Sequence, residues 1–189
     1  DEDQLTVWSS TQSPHRYRGM LANALDRAPD SVRVIAPDVG GGFGEKQGLF
    51  PEDIAVGYLS VVLERPLKWI ADRQENMLTF HGRGHTADVE VAVKNDGTIL
   101  GLRLRNVVDG GAFVGNSTTT PPYTSSHRIM GPYKIPAARV EVLGVATNKG
   151  PTGAYRGAGG PESAFCMERT MDLVARELGM DPVEIRRKN

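Results

Sequence analysis

Residues 40–44 read Gly-Gly-Gly-Phe-Gly. They lie between an apolar, β-branched run at Val32–Pro37 and a helical pattern that opens near Pro51. Without Cβ atoms such a loop can take positive φ and bring successive backbone N–H groups close to an anionic or polar group. A plain strand-to-helix turn needs one or two glycines, so the run points to a loop that cradles a ligand. Spacing excludes two familiar phosphate loops. The P-loop pattern counted from Gly40 would need glycine at Glu45, and Gln47 stands where the magnesium-binding hydroxyl belongs. The dinucleotide pattern Gly-x-Gly-x-x-Gly, started at Gly40 and Gly42, also demands glycine at Glu45.

A second glycine-rich stretch, Thr152-Gly153-Ala154-Tyr155-Arg156-Gly157-Ala158-Gly159-Gly160-Pro161-Glu162, carries one arginine and leads into a helix. A third element, Trp8-Ser9-Ser10-Thr11-Gln12, ends a strand shortly before the triple glycine. In this order and at these separations the motifs resemble the molybdenum-cofactor subunit of the xanthine dehydrogenase / aldehyde oxidase family. Within it, Ala-Tyr-Arg-Gly-Ala-Gly is most similar to form II carbon monoxide dehydrogenase-like large subunits. The resemblance covers essentially the whole chain, while the chain corresponds to only the first part of that subunit's molybdopterin-binding domain.

The resemblance implies specific roles. Molybdopterin supplies its own sulfur ligands, so a protein holds it through hydrogen bonds, and no direct metal ligand is expected here. Gln12 matches a glutamine whose amide donates to the apical oxygen on molybdenum. Gly41, Gly42, Phe43 and Gly44 match a loop that lies against the metal centre. Ala154, Tyr155, Arg156 and Gly157 match a loop running beside it, with Arg156 in the catalytic region. Taken singly, these residues have plainer readings. Gln12 could be a solvated strand end, Phe43 core, Lys46 a surface lysine, and Arg156 half of a structural salt bridge.

Departures from family patterns bear on substrate. Purine oxidisers carry glutamate where this chain has Gln47 and phenylalanine where it has Ala158. They also carry an arginine upstream of the Tyr133–Pro136 segment, to which the spacing does not assign Arg128. Copper-dependent carbon monoxide dehydrogenases have a cysteine in the arginine loop; Gly157-Ala158-Gly159 has none. Gln47 and Ala158 therefore line a roomier, less charged substrate pocket, suited to an aldehyde or an N-heteroaromatic compound. The family's catalytic base is a glutamate in a Gly-Val-Gly-Glu segment, absent from these residues, so the chain alone is expected to be inactive. The implied cofactor is molybdopterin, with the cytosine dinucleotide form an open alternative. The implied partners are the remainder of the large subunit and subunits or domains carrying 2Fe-2S clusters and FAD, in a cytoplasmic dimer of heterotrimers. Two other classes compete: a stand-alone phosphate-binding module, and a non-catalytic structural domain. The failed loop spacings oppose the first, and the second leaves Gln12 and Arg156 without a shared purpose.

Composition fits one soluble domain: 189 residues, 39% hydrophobic, 24% charged. A net charge of −1 with interspersed signs offers no basic patch for nucleic acid. No apolar run approaches the ~18 residues that span a bilayer. One cysteine, Cys166, excludes an internal disulfide and is expected in the core of a helix.

The elements read as one mixed α/β unit. Leu5–Ser10 is a strand, and Ser13-Pro14 caps a helix to about Arg27 with Tyr17, Leu21, Ala24 and Leu25 inward. Phe50–Asp53 opens a helix apolar enough to be buried, followed by a short strand at Leu67–Ile70 and a helical turn capped by Asp72. His85–Val93 and Thr98–Val108, joined by Asn95-Asp96-Gly97, form a long hairpin. Asp109–Tyr123 reads as extended or loop, Ala138–Thr147 as a strand, and Pro161–Leu178 and Pro182–Lys188 as helices.

Overall fold

A computed structural model describes residues 3–115 and 117–189. Strand β1 (Leu5–Trp8) crosses through helix α1 (Pro14–Ala24) to the parallel strand β2 (Val32–Ile35), with Leu5 opposite Val32 and Trp8 opposite Ile35. Helices α2 (Pro51–Val62) and α3 (Arg73–Thr79) follow. The hairpin β3 (His85–Val93) and β4 (Ile99–Gly111) is antiparallel, and β5 (Ala138–Ala146) adds parallel to β4. Helix α4 (Thr120–His127) lies between β4 and β5 in the chain; α5 (Gly160–Leu178) and α6 (Pro182–Lys188) close it. The expected mixed α/β architecture with a long hairpin is the one observed.

Two apolar clusters hold these layers. Ile99, Leu102 and Leu104 of β4 pack with Met167, Met171 and Ala175 of α5 and Ile185 of α6. Leu102 and Leu104 are alternate strand residues and share a face, the register shift at residues 99–101 brings Ile99 onto the same face, and the α5 residues lie four apart. Tyr17, Leu21 and Ala22 of α1 pack on Val32 of β2. The hairpin turn forms as its residues require. Gly97 takes φ of +86°, and Asp96 Oδ1 accepts the Thr98 N–H at 3.0 Å. Asp72 and Glu75 cap α3 reciprocally, and Asp181 accepts from the Val183 and Glu184 N–H groups at the start of α6.

Several expectations are corrected. Leu67–Ile70 is irregular and exposed, not a strand. Helix α2 is apolar but not buried: Tyr58, Leu59, Val61 and Val62 face outward, and only Gly57 is buried, against Leu21, Leu25 and Leu5. These residues cover one side of α2 and leave its other apolar faces open. Within Asp109–Tyr123, β4 runs on to Gly111 and α4 begins at Thr120; Asn116 lies outside the described residues. Pro121 and Pro122, read as loop signals, occupy the first helical turn, where a missing N–H costs nothing. Helix α1 stops at Ala24, with Ala22 rather than Ala24 inward, and Ser13 makes no side-chain cap. Instead Thr11 Oγ1 accepts the Ser13 N–H at 3.1 Å. Cys166 is half-buried beside the core cluster, and burial raises its thiol pKa. No helix among the described residues is long and apolar enough to cross a membrane.

Candidate functional site

The strand end, the glycine loop and the arginine loop meet at one place. Gln12 leaves the β1 end tied to the loop base, its N–H donating to Lys46 O at 2.9 Å while Thr11 Oγ1 donates to the same carbonyl at 3.2 Å. Gln12 Oε1 accepts the Gly44 N–H at 3.0 Å. Because an N–H can donate only to the oxygen, this bond fixes the amide orientation and turns Nε2 away as a free donor. Among the described residues Nε2 finds no partner.

The two loops touch through backbone. Arg156 N–H donates to Phe43 O at 2.9 Å, and the Arg156 guanidinium carbon lies 5.6 Å from the Phe43 ring centroid. Glycine is required where they cross. A Cβ on Gly44 would fall 2.3 Å from Ala154 O, and one on Gly42 2.3 Å from Gln12 Oε1. Phe43, at φ of +52°, stands 56% exposed, so it is not a core residue. Arg156 makes no ion pair among the described residues, which removes the salt-bridge reading; its aromatic neighbour is its contact. Lys46 is no solvated lysine either. Its ammonium donates to Ser10 Oγ at 2.8 Å and Val39 O at 2.9 Å, stapling the strand end to the start of the glycine loop.

Among the described residues, the N–H groups of Gly40, Gly41, Gly42 and Phe43 in one loop, and of Tyr155 and Gly157 in the other, have no hydrogen-bond partner. Backbone donors are left unpaired only where water or a ligand meets them. Two loops of free donors, joined at their crossing and flanked by a free carboxamide, suit an extended polar ligand held by hydrogen bonds. A metal bound by side chains does not fit, since no group of His, Cys, Asp and Glu among the described residues could hold one. Gln47 ends the short helical turn Glu45–Gln47 behind the glycine loop, half-buried. Ala158 sits at φ of +41° in the turn before α5, its N–H donating to Tyr155 O at 2.7 Å. Among the described residues no hydrogen bond joins Gln47 to Ala158. A cavity of about 530 Å³ opens at Ser10, Glu45 and Lys46 and reaches Asp72 and Arg73, but Gln12, Phe43 and Arg156 do not line it.

Three supporting residues escaped sequence reasoning. Ser117 Oγ accepts the Ala154 N–H at 3.0 Å and anchors the arginine loop from below. Asp109 ties the segment leading into that loop. It accepts from Thr147 Oγ1 at 2.6 Å, Lys149 Nζ at 2.9 Å and Gly111 N–H at 2.9 Å, which pull its pKa down to about 2. Arg83 donates to Arg156 O at 3.1 Å. Its signal was present: glycines flank it on both sides in His81-Gly82-Arg83-Gly84-His85.

Comparison with known proteins shows the family. A family model described as the molybdopterin cofactor-binding domain matches residues 1–189. The carbon monoxide dehydrogenase large chain of Hydrogenophaga pseudoflava is 43% identical over 190 residues, covering 98% of this chain and 24% of that protein. The nicotine 6-hydroxylase large subunit of Paenarthrobacter nicotinovorans is 38% identical over 197 residues, covering 100% of this chain and 24% of that one. The crystal structure of quinoline 2-oxidoreductase from Pseudomonas putida 86 superposes with a TM-score of 0.94 at 41% identity, over 98% of this chain and 24% of that one. The chain thus spans about a quarter of the length of these relatives. With the motif residues in mutual contact and the family model matched from end to end, the chain belongs to the molybdopterin cofactor-binding domain family of molybdenum hydroxylase large subunits.

Proposed function

We propose that the two loops bind the pyranopterin–molybdenum centre, and that the whole protein hydroxylates an aldehyde or N-heteroaromatic substrate with oxygen taken from water. The observation that carries this reading is the crossing itself: Gln12 Oε1 on Gly44 N–H, and Arg156 N–H on Phe43 O. It leaves a carboxamide donor and a run of backbone N–H groups unpaired among the described residues. The residues fit the cofactor because it is held by hydrogen bonds and needs no side-chain ligand. When bound, it would supply a metal that takes up two electrons as a C–H bond is oxidised.

This chain's own residues bind and orient. Gln12 Nε2 and the free N–H groups of residues 40–43 would hold the cofactor by donating hydrogen bonds to its polar atoms. Arg156 contributes positive charge beside the reacting centre, held over Phe43 rather than neutralised by a carboxylate. Such fixed donors act without reorganisation when charge develops. Gln47 and Ala158 favour a neutral, bulkier substrate over a purine. The catalytic base, the rest of the pocket, and the iron–sulfur and FAD carriers that remove electrons are assigned to other parts of a cytoplasmic complex, a dimer of heterotrimers. The test is a substrate panel on the assembled enzyme, scored by kcat/KM. Preference for aldehydes or N-heterocycles is expected; preference for xanthine or hypoxanthine, or copper-dependent turnover of carbon monoxide, overturns it.

A further inference from the structure

Arg83 touches the arginine loop in three chemically different ways. Its terminal nitrogen donates to Arg156 O at 3.1 Å, its Nε lies 3.5 Å from Glu162 Oε1, and its guanidinium carbon lies 4.8 Å from the Tyr155 ring centroid. The segment around it is fixed to the same loop through backbone: His81 N–H donates to Pro151 O and Gly153 N–H donates to His81 O, each at 3.0 Å. Arg83 holds φ of +63°, a left-handed conformation that a non-glycine residue keeps only where its surroundings impose it. Glu162 is 10% exposed, and its Oε2 meets no partner among the described residues, so Arg83 is the cation that compensates this buried carboxylate.

These contacts matter because of what a peptide plane is. In a trans peptide the carbonyl oxygen of one residue and the N–H of the next point in opposite directions. The oxygen of Arg156 and the N–H of Gly157 belong to one such plane, and no peptide bond among the described residues is cis. Arg83 grips the oxygen, so the Gly157 N–H is aimed the other way, where it has no partner among the described residues. Gly157 itself, at φ of +101°, has the backbone freedom to let this plane turn over. The neighbouring plane is already held, since Arg156 N–H donates to Phe43 O at 2.9 Å.

We propose that Arg83 is a positioning residue that locks the Arg156–Gly157 peptide, so that the Gly157 N–H stays presented as a donor to the cofactor. This deepens the cofactor reading above and rests on it. A fork is required: one planar guanidinium can serve a carbonyl, a carboxylate and an aromatic face together, whereas a lysine ammonium is a point charge.

The test uses the full-length large subunit in its assembled complex, as wild type, Arg83→Met and Arg83→Lys. Thermal unfolding, molybdenum content, kcat and KM, the paramagnetic signal of the reduced metal, and amide exchange of the peptide spanning residues 155–160 are measured. Arg83→Lys retains charge beside Glu162 and is expected to keep the wild-type melting point and molybdenum. Both variants are expected to lose kcat about 10- to 100-fold, with KM little changed, a shifted paramagnetic signal and faster exchange at residues 155–160. Wild-type kcat, signal and exchange in Arg83→Lys would overturn the proposal. So would a lower melting point with exchange and signal unmoved, which is the mark of a merely structural arginine. Wild-type enzyme without molybdenum would instead defeat the cofactor reading, and the exchange of residues 155–160 would still decide the role of Arg83.

Discussion

Adding one methyl group at Gly44 should separate the two loops, and Gly40 provides the control. Gly44 has φ of +92° and Gly40 φ of +68°, so alanine at either position pays the left-handed penalty of roughly 1–2 kcal/mol. Only their surroundings differ. At Gly40 the new Cβ meets nothing within 4 Å; at Gly44 it falls 2.3 Å from Ala154 O and 2.9 Å from Ala154 C. Both obstacles are backbone, which cannot rotate away as a side chain can. An unstrained carbon-to-oxygen approach is roughly 3.3 Å or more, so the loops must part by about 1 Å. Overpacking of this kind costs about 1–3 kcal/mol. Gly44→Ala should therefore destabilise by about 2–5 kcal/mol and Gly40→Ala by about 1–2 kcal/mol. Urea titration of the 189-residue chain resolves the difference. With a slope of about 2 kcal/mol per molar, the Gly44→Ala midpoint should lie about 1 M below that of Gly40→Ala. Equal midpoints would refute the claim that the loops are in backbone contact at Gly44.

Other consequences follow from the same geometry. Gln12→Glu keeps an oxygen for the Gly44 N–H but removes the Nε2 donor; kcat of the assembled enzyme should fall about 10- to 100-fold, and wild-type kcat would contradict the assigned role. Asp109 is held at about 2, below its ordinary 3.8, mainly by the Thr147 hydroxyl, then Lys149 and the Gly111 N–H. The stability it contributes is thus complete above about pH 4 and lost as pH falls towards about 2. The melting-point gap between wild type and Asp109→Asn should close across that window, and a gap independent of pH would count against it. The 189 residues alone should hold far less than stoichiometric molybdenum, because Phe43, Tyr155 and Arg156 stand exposed; near-full occupancy in metal analysis would show a more complete pocket.

What sequence reveals here follows from how local each signal is. The hairpin was readable because alternation and the Asn95-Asp96-Gly97 turn act within a few residues, and the register observed pairs Val89 with Leu104. The α5 and α6 boundaries were readable for the same reason, from Pro161 and the Asp181 cap. Helix α2 misled because hydrophobicity reports a preference for burial, not what is present to bury against. Pro121 and Pro122 misled because proline both breaks helices and starts them. At the site, the glycine and arginine motifs announced themselves by composition. Their crossing at Gly44 and Ala154 links residues 110 positions apart in the sequence and leaves no local trace. Arg83, Asp109 and Ser117 were missed because each side chain bonds another residue's backbone, a role that any polar residue could fill.

The central claim is that the crossing of the glycine and arginine loops is part of a molybdenum-cofactor site. Its most direct test is the molybdenum and pterin content of the full-length large subunit, purified within its complex, as wild type and as Gly44→Val, which drives a branched side chain into Ala154 O. The account predicts near-stoichiometric molybdenum and pterin in the wild type and loss of most of both in the variant, with the complex still assembled. Absence of molybdenum from the wild type, or full occupancy in Gly44→Val, would contradict it.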